Sequence, residues 1–481
     1  MLGGGKAAGS NRSVLSLTYQ VARQKTSASC ALTALALAWG VAAAYYLFLR
    51  NTGPSGDEGS YCTIGQGIIN GYLPYRDYFN EKPPLQFYWT ALIFSLFGSG
   101  IESSRIASSI MLGLALSLSL YQLAARSRSI TQLAFWASVL AVVGVVMRAY
   151  NNLAESTLAL LFVASLLLTI KPEALAARPA SFLTGFLQGV ACGFRQTALV
   201  SALMLLAAPW HRTSRWVYVS GLLSGLTLWI GLISSVGIFR DAIEAIVLFH
   251  VDNPARSTYF NLIESSSVKG LALWALVLAG VAIHAYRTQR NWITAWLIIA
   301  ALPFFGRMDA FKLWPSMLMG FTYLFTYANI GPHRRTLLPY LLALLITLLS
   351  ISRPSSFEKD EAISKQVMQL SSSNDTIWVG PFMPNIYCMS NRRPASRYYF
   401  ALPWTIKQSA KMQLIKDLYL NRPKVIVDVS NKWFSLNTLT PEIMQLIKDN
   451  YILVKDSGTA RLYLRKSQEA NQNTPIGEKH V

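Results

Sequence analysis

The chain has 481 residues, of which 52% are hydrophobic and only 14% charged, and its mean hydropathy is positive. Soluble chains carry about a quarter charged residues, so an ordinary soluble globular protein is excluded. The formal charge of +20 does not point to nucleic acid, because the basic residues are scattered through short loops and form no compact patch or binding motif.

Residues 1–28 are polar and basic and read as a cytoplasmic N-terminal segment. A cleaved signal peptide has a shorter apolar core than the run that follows, so Ser29–Leu49 reads as an uncleaved first span. Further apolar runs begin near residues 105, 130, 153, 181, 196, 216, 268, 292, 311 and 336, the last ending near Ile351. The expected fold is therefore an α-helical polytopic membrane protein with about 11 transmembrane helices. The runs 181–194, 196–209, 292–306 and 336–351 are short and need a thinned membrane or a protein-lined cavity.

Leu85–Gly98 (LQFYWTALIFSLFG) is apolar but too short for an ordinary span. If it does not cross, the loops holding Arg126 and Arg128, Lys171 and Arg178, Arg212 and Arg215, Arg287 and Arg290, and Arg334 and Arg335 all share the side of the basic N-terminus. That is the positive-inside pattern. Of the acids before residue 356, Glu173 alone then falls on the cytoplasmic side. Leu85–Gly98 accordingly reads as an interfacial or re-entrant helix, with Pro83 and Pro84 at its first turn, where a missing N–H costs little. The span-bearing region runs from 29 to 355, and its first outer loop from 50 to 104.

After residue 356 the texture becomes that of an α/β domain, expected over 356–466 on the extracytoplasmic side. DTIWVG and PKVIVDV read as short buried strands, AKMQLIKDLYL and PEIMQLIKDN as amphipathic helices, and YILVKDSGTARLYLRK as a terminal hairpin. The tail 467–481 has the composition of a disordered segment. No internal repeat is evident, which disfavours a transporter built on inverted repeats. The four cysteines, Cys30, Cys62, Cys192 and Cys388, show no metal-binding spacing. Cys62 and Cys388 share the outer side, and two unpaired thiols are expected there in preference to a disulfide.

Chemistry gathers at the outer face. Asp57 and Glu58 are adjacent acids, and such a pair must be hydrated, metal-bound or partnered. They read either as a hydrated loop pair or as a general base, a metal ligand or both. Tyr61, Ile64 and Ile68 at helical spacing, with Asn70-Gly71 as a stop, place the acids at the start of an interfacial helix. Glu155 follows RAYNN at the outer start of a span, where the helix dipole favours an acid; with Asp57 it could hold a divalent cation. Lys82, in NEKPP, is either a snorkelling lysine or a phosphate ligand. Arg195, in CGFRQTAL, joins two short apolar pieces, and a charge at that depth faces a cavity or a partner. Arg307 and Lys312, in FFGRMDAFKLWP, add cations at another outer junction.

The acid pair after the first span, followed by GYLPYRDYFNEKPPLQFYW, resembles the first outer loop of GT-C class membrane glycosyltransferases. It is most similar to the branch of protein O-mannosyltransferases and lipid A aminoarabinose transferases. NNLAESTLALL, GFLQGVACGFRQTAL and, more weakly, GRMDAFKLWPSML continue the likeness, and NIYCMSNRRPASRYYF resembles the tails of bacterial members. In relatives the RQT position is often Lys-based, and FKLWP departs from their His-Tyr pattern. The resemblance implies a polyprenyl-phosphate-linked sugar donor, inversion at the anomeric carbon, and a bacterial plasma (inner) membrane location. On it, Asp57, Glu58 and Glu155 are the expected catalytic acids, and Lys82, Arg195, Arg307 and Lys312 the expected donor-phosphate ligands. The acceptor is a hydroxyl on a glycan, lipid or protein. A transporter or flippase of lipid-linked sugars, or an oligosaccharide ligase or polymerase using a polyprenyl-diphosphate donor, are the competing readings.

Overall fold

The computed structural model describes residues 8–50, 52–126, 129–170, 177–206, 208, 212–249, 265–305, 310–327, 358–403, 405–431 and 434–466. The expected span at 336–351, Arg307, the loop pair Arg334 and Arg335, and the tail 467–481 lie outside them. In chain order the helices are α1 (Ala8–Leu49), α2 (Gly56–Ile69), α3 (Leu85–Phe97), α4 (Ile101–Ala124), α5 (Ile130–Val146) and α6 (Ala154–Thr169). Next come α7 (Arg178–Phe194), α8 (Ala198–Leu206), α9 (Arg212–Ser235), α10 (Phe239–Ile243), α11 (Ser265–Arg287), α12 (Asn291–Phe305) and α13 (Trp314–Tyr327). Ala28–Leu49, Ile101–Ala124 and Ser214–Ser235 are long and apolar enough to cross a membrane, and Leu85–Phe97, Ile130–Val145, Ala154–Thr169, Leu271–Arg287 and Asn291–Ala301 are shorter apolar helices.

The chain divides into two compact units. The first gathers Met1–Leu49, Ser108–Leu228 and Phe260–Arg353. Small residues let its helices close up: a Cβ on Gly185 or Gly189 of α7 would strike the backbone of α9, and one on Gly221 or Gly225 of α9 would strike the backbone of α7. Both helices thus carry the small-xxx-small spacing that substitutes backbone contact for a hydrophobic drive in lipid. Buried polar side chains tie further helices together. Gln188 donates to Ser165 Oγ (2.9 Å), and its own oxygen accepts from Ser201 Oγ (3.3 Å), to which Trp296 also donates (2.5 Å).

The second unit gathers Arg50–Ala107, Trp229–Tyr259 and Pro354–Val481, so the loop expected over 50–104 groups with the carboxy-terminal residues. These contribute α14 (Glu358–Leu370), β1 (Thr376–Gly380), α15 (Asn385–Ser390), β2 (Arg393–Pro394), α16 (Gln408–Asn421), β3 (Val425–Asp428), α17 (Leu436–Leu439), α18 (Pro441–Asn450), β4 (Tyr451–Asp456) and β5 (Arg461–Arg465). The sheet order is β2-β1-β3-β5-β4, with β1 parallel to β2 and β3, and β5 antiparallel to β3 and β4. Ile377 pairs with Val425 and Val379 with Val427. Such continuous apolar strands suit a sheet covered on both faces. Trp378 and Ile426 pack with Leu414 and Leu418 of α16 and Ile443 and Ile447 of α18.

One expectation is corrected. Cys62 of α2 and Cys388 of α15 form a disulfide, with Cα atoms 5.8 Å apart, not two unpaired thiols. They sit in a small apolar cluster with Phe94 and Ile101.

Candidate active site

α2 starts where its sequence says it should. Ser55 caps it, accepting from Glu58 N–H at 3.1 Å, and places both acids in the first turn, where the helix dipole favours negative charge. Asn70 ends the helix, and Gly71 takes a φ of 84° that only glycine adopts without strain. The two acids then diverge. The Asp57 carboxylate pairs with Lys82 Nζ at 2.7 Å, and the two side chains keep 22% and 16% of their exposure, so a substrate can reach them. Glu58 is fully buried. Arg105 of α4 grips both its oxygens, Nε to Oε1 at 2.9 Å and Nη2 to Oε2 at 3.0 Å. The remaining nitrogen of Arg105 donates to Arg50 O (2.7 Å) and Thr52 Oγ1 (3.0 Å). A fork-to-fork pair of this kind holds Glu58 as a strut and not as a reachable base.

Lys82 is placed as carefully. Its N–H donates to Asn80 Oδ1 (3.2 Å), its carbonyl accepts from the Tyr75 hydroxyl (2.8 Å), and its ammonium lies 5.0 Å from the Tyr61 ring centre. The carboxy-terminal residues pin the same loop. Thr63 donates to Pro384 O (2.8 Å), Gln66 to Asn391 Oδ1 (2.7 Å), Phe79 N–H to Arg397 O (2.8 Å) and Asn80 to the Tyr399 hydroxyl (3.2 Å). NIYCMSNRRPASRYYF is thus the stretch that clasps the loop bearing Asp57 and Lys82.

In the first unit, α5 ends at Met147 and Arg148 adopts a φ of 50°. Ala149 N–H reaches back to Gly144 O (2.8 Å) in a Schellman closure. This turn delivers Glu155 to the first turn of α6, buried. Between α7 and α8 the helix breaks at Arg195, whose backbone is extended (φ −154°, ψ 124°). The break frees its guanidinium to form an ion pair with Glu155. Lys312 is buried in the short turn Ala310–Leu313 ahead of α13.

Four of the seven predicted residues therefore form two acid–cation pairs, Asp57–Lys82 in one unit and Glu155–Arg195 in the other. Arg105 was not anticipated. Its signal was an arginine one turn inside an apolar helix, in IESSRIASS, directly after an acidic loop. Asp57 and Glu155 do not fit a preformed metal site. Each carboxylate faces its own cation, and among the described residues no three His, Cys, Asp or Glu side chains cluster.

Residues 81–239, about a third of the chain, match the family model of dolichyl-phosphate-mannose-protein mannosyltransferases. No curated protein matches the sequence. The fold is shared with ArnT from Cupriavidus metallidurans bound to undecaprenyl phosphate, at a TM-score of 0.55 and 15% identity over 90% of this chain and 98% of that one. The same protein in the apo state gives a TM-score of 0.47 at 14% identity, over 89% and 97% of the two chains. The Archaeoglobus fulgidus oligosaccharyltransferase in complex with zinc and sulfate gives 0.47 at 13% identity, over 90% and 73%.

Proposed function

We propose that this chain, which resembles the GT-C class of membrane glycosyltransferases in its mannosyltransferase-like segment and its ArnT-like fold, is an inverting glycosyltransferase. It moves a sugar from a polyprenyl-phosphate donor to an acceptor hydroxyl at the outer face of the membrane. The observation that carries this reading is the reachable Asp57–Lys82 pair at 2.7 Å, which sets a base beside a phosphate-binding cation. The ArnT relative of like fold was crystallised with undecaprenyl phosphate, which supports the donor class.

The donor phosphate draws the Lys82 ammonium toward itself. Asp57 then loses its cationic partner and becomes the stronger base, so donor binding and base activation are coupled. Asp57 takes the proton of the acceptor hydroxyl as its oxygen attacks the anomeric carbon. The new C–O bond forms on the face opposite the one that breaks, and the lipid phosphate leaves with the electron pair, its charge met by Lys82. Glu155 orients Arg195, and Glu58 fixes the start of α2 through Arg105. Arg307 and Lys312 are further candidate phosphate contacts, in a membrane domain of about 11 spans with the 356–466 region extracytoplasmic.

The test is Asp57→Asn. It should lower transfer by about 10²–10⁴-fold, the usual worth of a general base, with the fold and polyprenyl-phosphate binding retained. Lys82→Ala should instead weaken lipid-phosphate binding by roughly 10–100-fold, as for loss of one charged hydrogen bond. Full transfer by Asp57→Asn would end the assignment, and unchanged lipid affinity in Lys82→Ala would take that lysine out of the site.

A further inference from the structure

Away from the Asp57–Lys82 pair, the second unit carries an open groove of about 320 Å³. Its walls come from the first loop (Tyr72, Tyr78) and from the carboxy-terminal residues (Arg393, Ser396, Arg397, Asp417). Its charges are unevenly matched. The Arg76 guanidinium at the rim is held by Asp77 at 3.2 Å. Asp417 is engaged by neutral donors, Ser396 Oγ at 2.6 Å and Gln413 Nε2 at 2.6 Å. Arg393 is exposed and donates to a neutral group, the Tyr72 hydroxyl (2.5 Å), lying 5.2 Å from that ring centre.

Arg397 lies against the paired Phe79 and Tyr398 rings, 5.8 and 5.3 Å from their centres. Its Nε and Nη2 are buried and make no hydrogen bond among the described residues. These two atoms form the edge of a guanidinium that grips a carboxylate or phosphate through two parallel bonds. A buried polar edge without a partner calls for an explanation. Arg397 also lines the groove, and rotation about the outer bonds of this long side chain is the movement that binding through that edge requires.

Tyr72 and Tyr78 pack edge to face, 6.1 Å apart. Burial pushes the Tyr78 phenol above its ordinary range, so it stays a neutral hydroxyl. Aromatic faces beside planar polar side chains (Arg393, Asp417, Asn421) suit a ring rich in hydroxyls, and the two unmatched guanidiniums suit a negative charge upon it.

We propose that this groove binds an anionic saccharide, with Arg393 and Arg397 holding its carboxylate or phosphate and Tyr72 and Tyr78 flanking its sugar ring. Calling it the acceptor's subsite rests on the transferase reading above; the binding itself does not.

The experiment is calorimetric titration of the full chain in detergent, without donor, using trigalacturonate, glucose 6-phosphate, glucose and inorganic phosphate. At least one anionic sugar should bind about tenfold or more tightly than both glucose and inorganic phosphate, the margin expected of a bidentate charged contact. Arg393→Ala and Arg397→Ala should each weaken that binding about tenfold, and Arg393→Lys should keep part of it, since lysine preserves the charge and loses the fork. Thermal midpoints check that each variant is folded. If neither anionic sugar binds, or glucose or inorganic phosphate binds as well, or both arginine-to-alanine variants retain full affinity, the proposal falls. The Asp57 assignment would survive that failure, and an active Asp57→Asn enzyme would leave a saccharide bound here untouched.

Discussion

Adjacent acids with opposite fates show how much the partner decides at the scale of a residue. Asp57 keeps a reachable ion pair, whereas Glu58, one position on, is fully buried against Arg105. Removing one member of a buried pair leaves an uncompensated charge, at about 3–5 kcal/mol, while replacing both by apolar groups is often neutral. Glu58→Gln should therefore lower stability by about 3 kcal/mol, and Glu58→Leu with Arg105→Leu should recover most of it in chemical unfolding. Asp360 offers a second test. Burial pushes its carboxyl from 3.8 up to about 6, against a downward pull from the Asn385 amide. The folded state then binds a proton more readily than the unfolded chain, so this group lowers stability as pH rises from 3.8 to 6 and exerts its full penalty above 6. Asp360→Asn should flatten that slope in unfolding midpoints, by on the order of 1 kcal/mol because the carboxyl is partly solvated. Asp57, Lys82, Glu155 and Arg195 were legible in the sequence because charges flanked by apolar runs are conspicuous. Which acid meets which cation was not, since Arg105 joins Glu58 from 47 residues away.

Elements were more readable than pairings, because periodicity and caps are local. The stop at Asn70-Gly71, the break at Arg195 and the strands at Thr376–Gly380 and Val425–Asp428 each rest on residues within a few positions of one another. Helix contact is different, as the example of α7 and α9 shows. Glycines recur every four residues in both, yet only the packed structure reveals which face meets which. Backbone cannot yield as a side-chain tip can, so Gly189→Ala should cost about 1–3 kcal/mol through overpacking. Gly231, also on α9, has nothing among the described residues within 4 Å of where its Cβ would stand. Gly231→Ala should be neutral or stabilising by about 0.5–1 kcal/mol, from helix propensity alone. Equal unfolding midpoints for the two variants would remove the glycine faces as the reason for close approach.

Across the whole molecule, the part least explained by the sequence is the carboxy-terminal region, which holds no catalytic motif of its own. Its segment 384–399 instead holds the 50–104 region through hydrogen bonds to Thr63, Gln66, Phe79 and Asn80 and through the Cys62–Cys388 disulfide. The pairing was illegible because the cysteines lie 326 residues apart and neither carries a spacing signal. Each hydrogen bond contributes about 0.5–1.5 kcal/mol net, so the covalent tie is the strongest single element of the clasp. Linking distant residues restricts the unfolded chain, for about 2–4 kcal/mol in soluble proteins. The return here should sit at the lower end, because spans between the two cysteines that stay in the bilayer already confine the unfolded state. Cys62→Ser and Cys388→Ser should each lower the stability read from chemical unfolding by about 2 kcal/mol, and the double variant by no more than either alone, because one bond is lost in all three. Reductant should bring the wild type to the same value and leave the variants unmoved. If the clasp sets α2 for chemistry, transfer should fall in parallel at temperatures where the variants remain folded, since Asp57 lies at the start of the helix that carries Cys62. A wild-type midpoint indifferent to reductant would show that the hydrogen bonds hold the loop unaided.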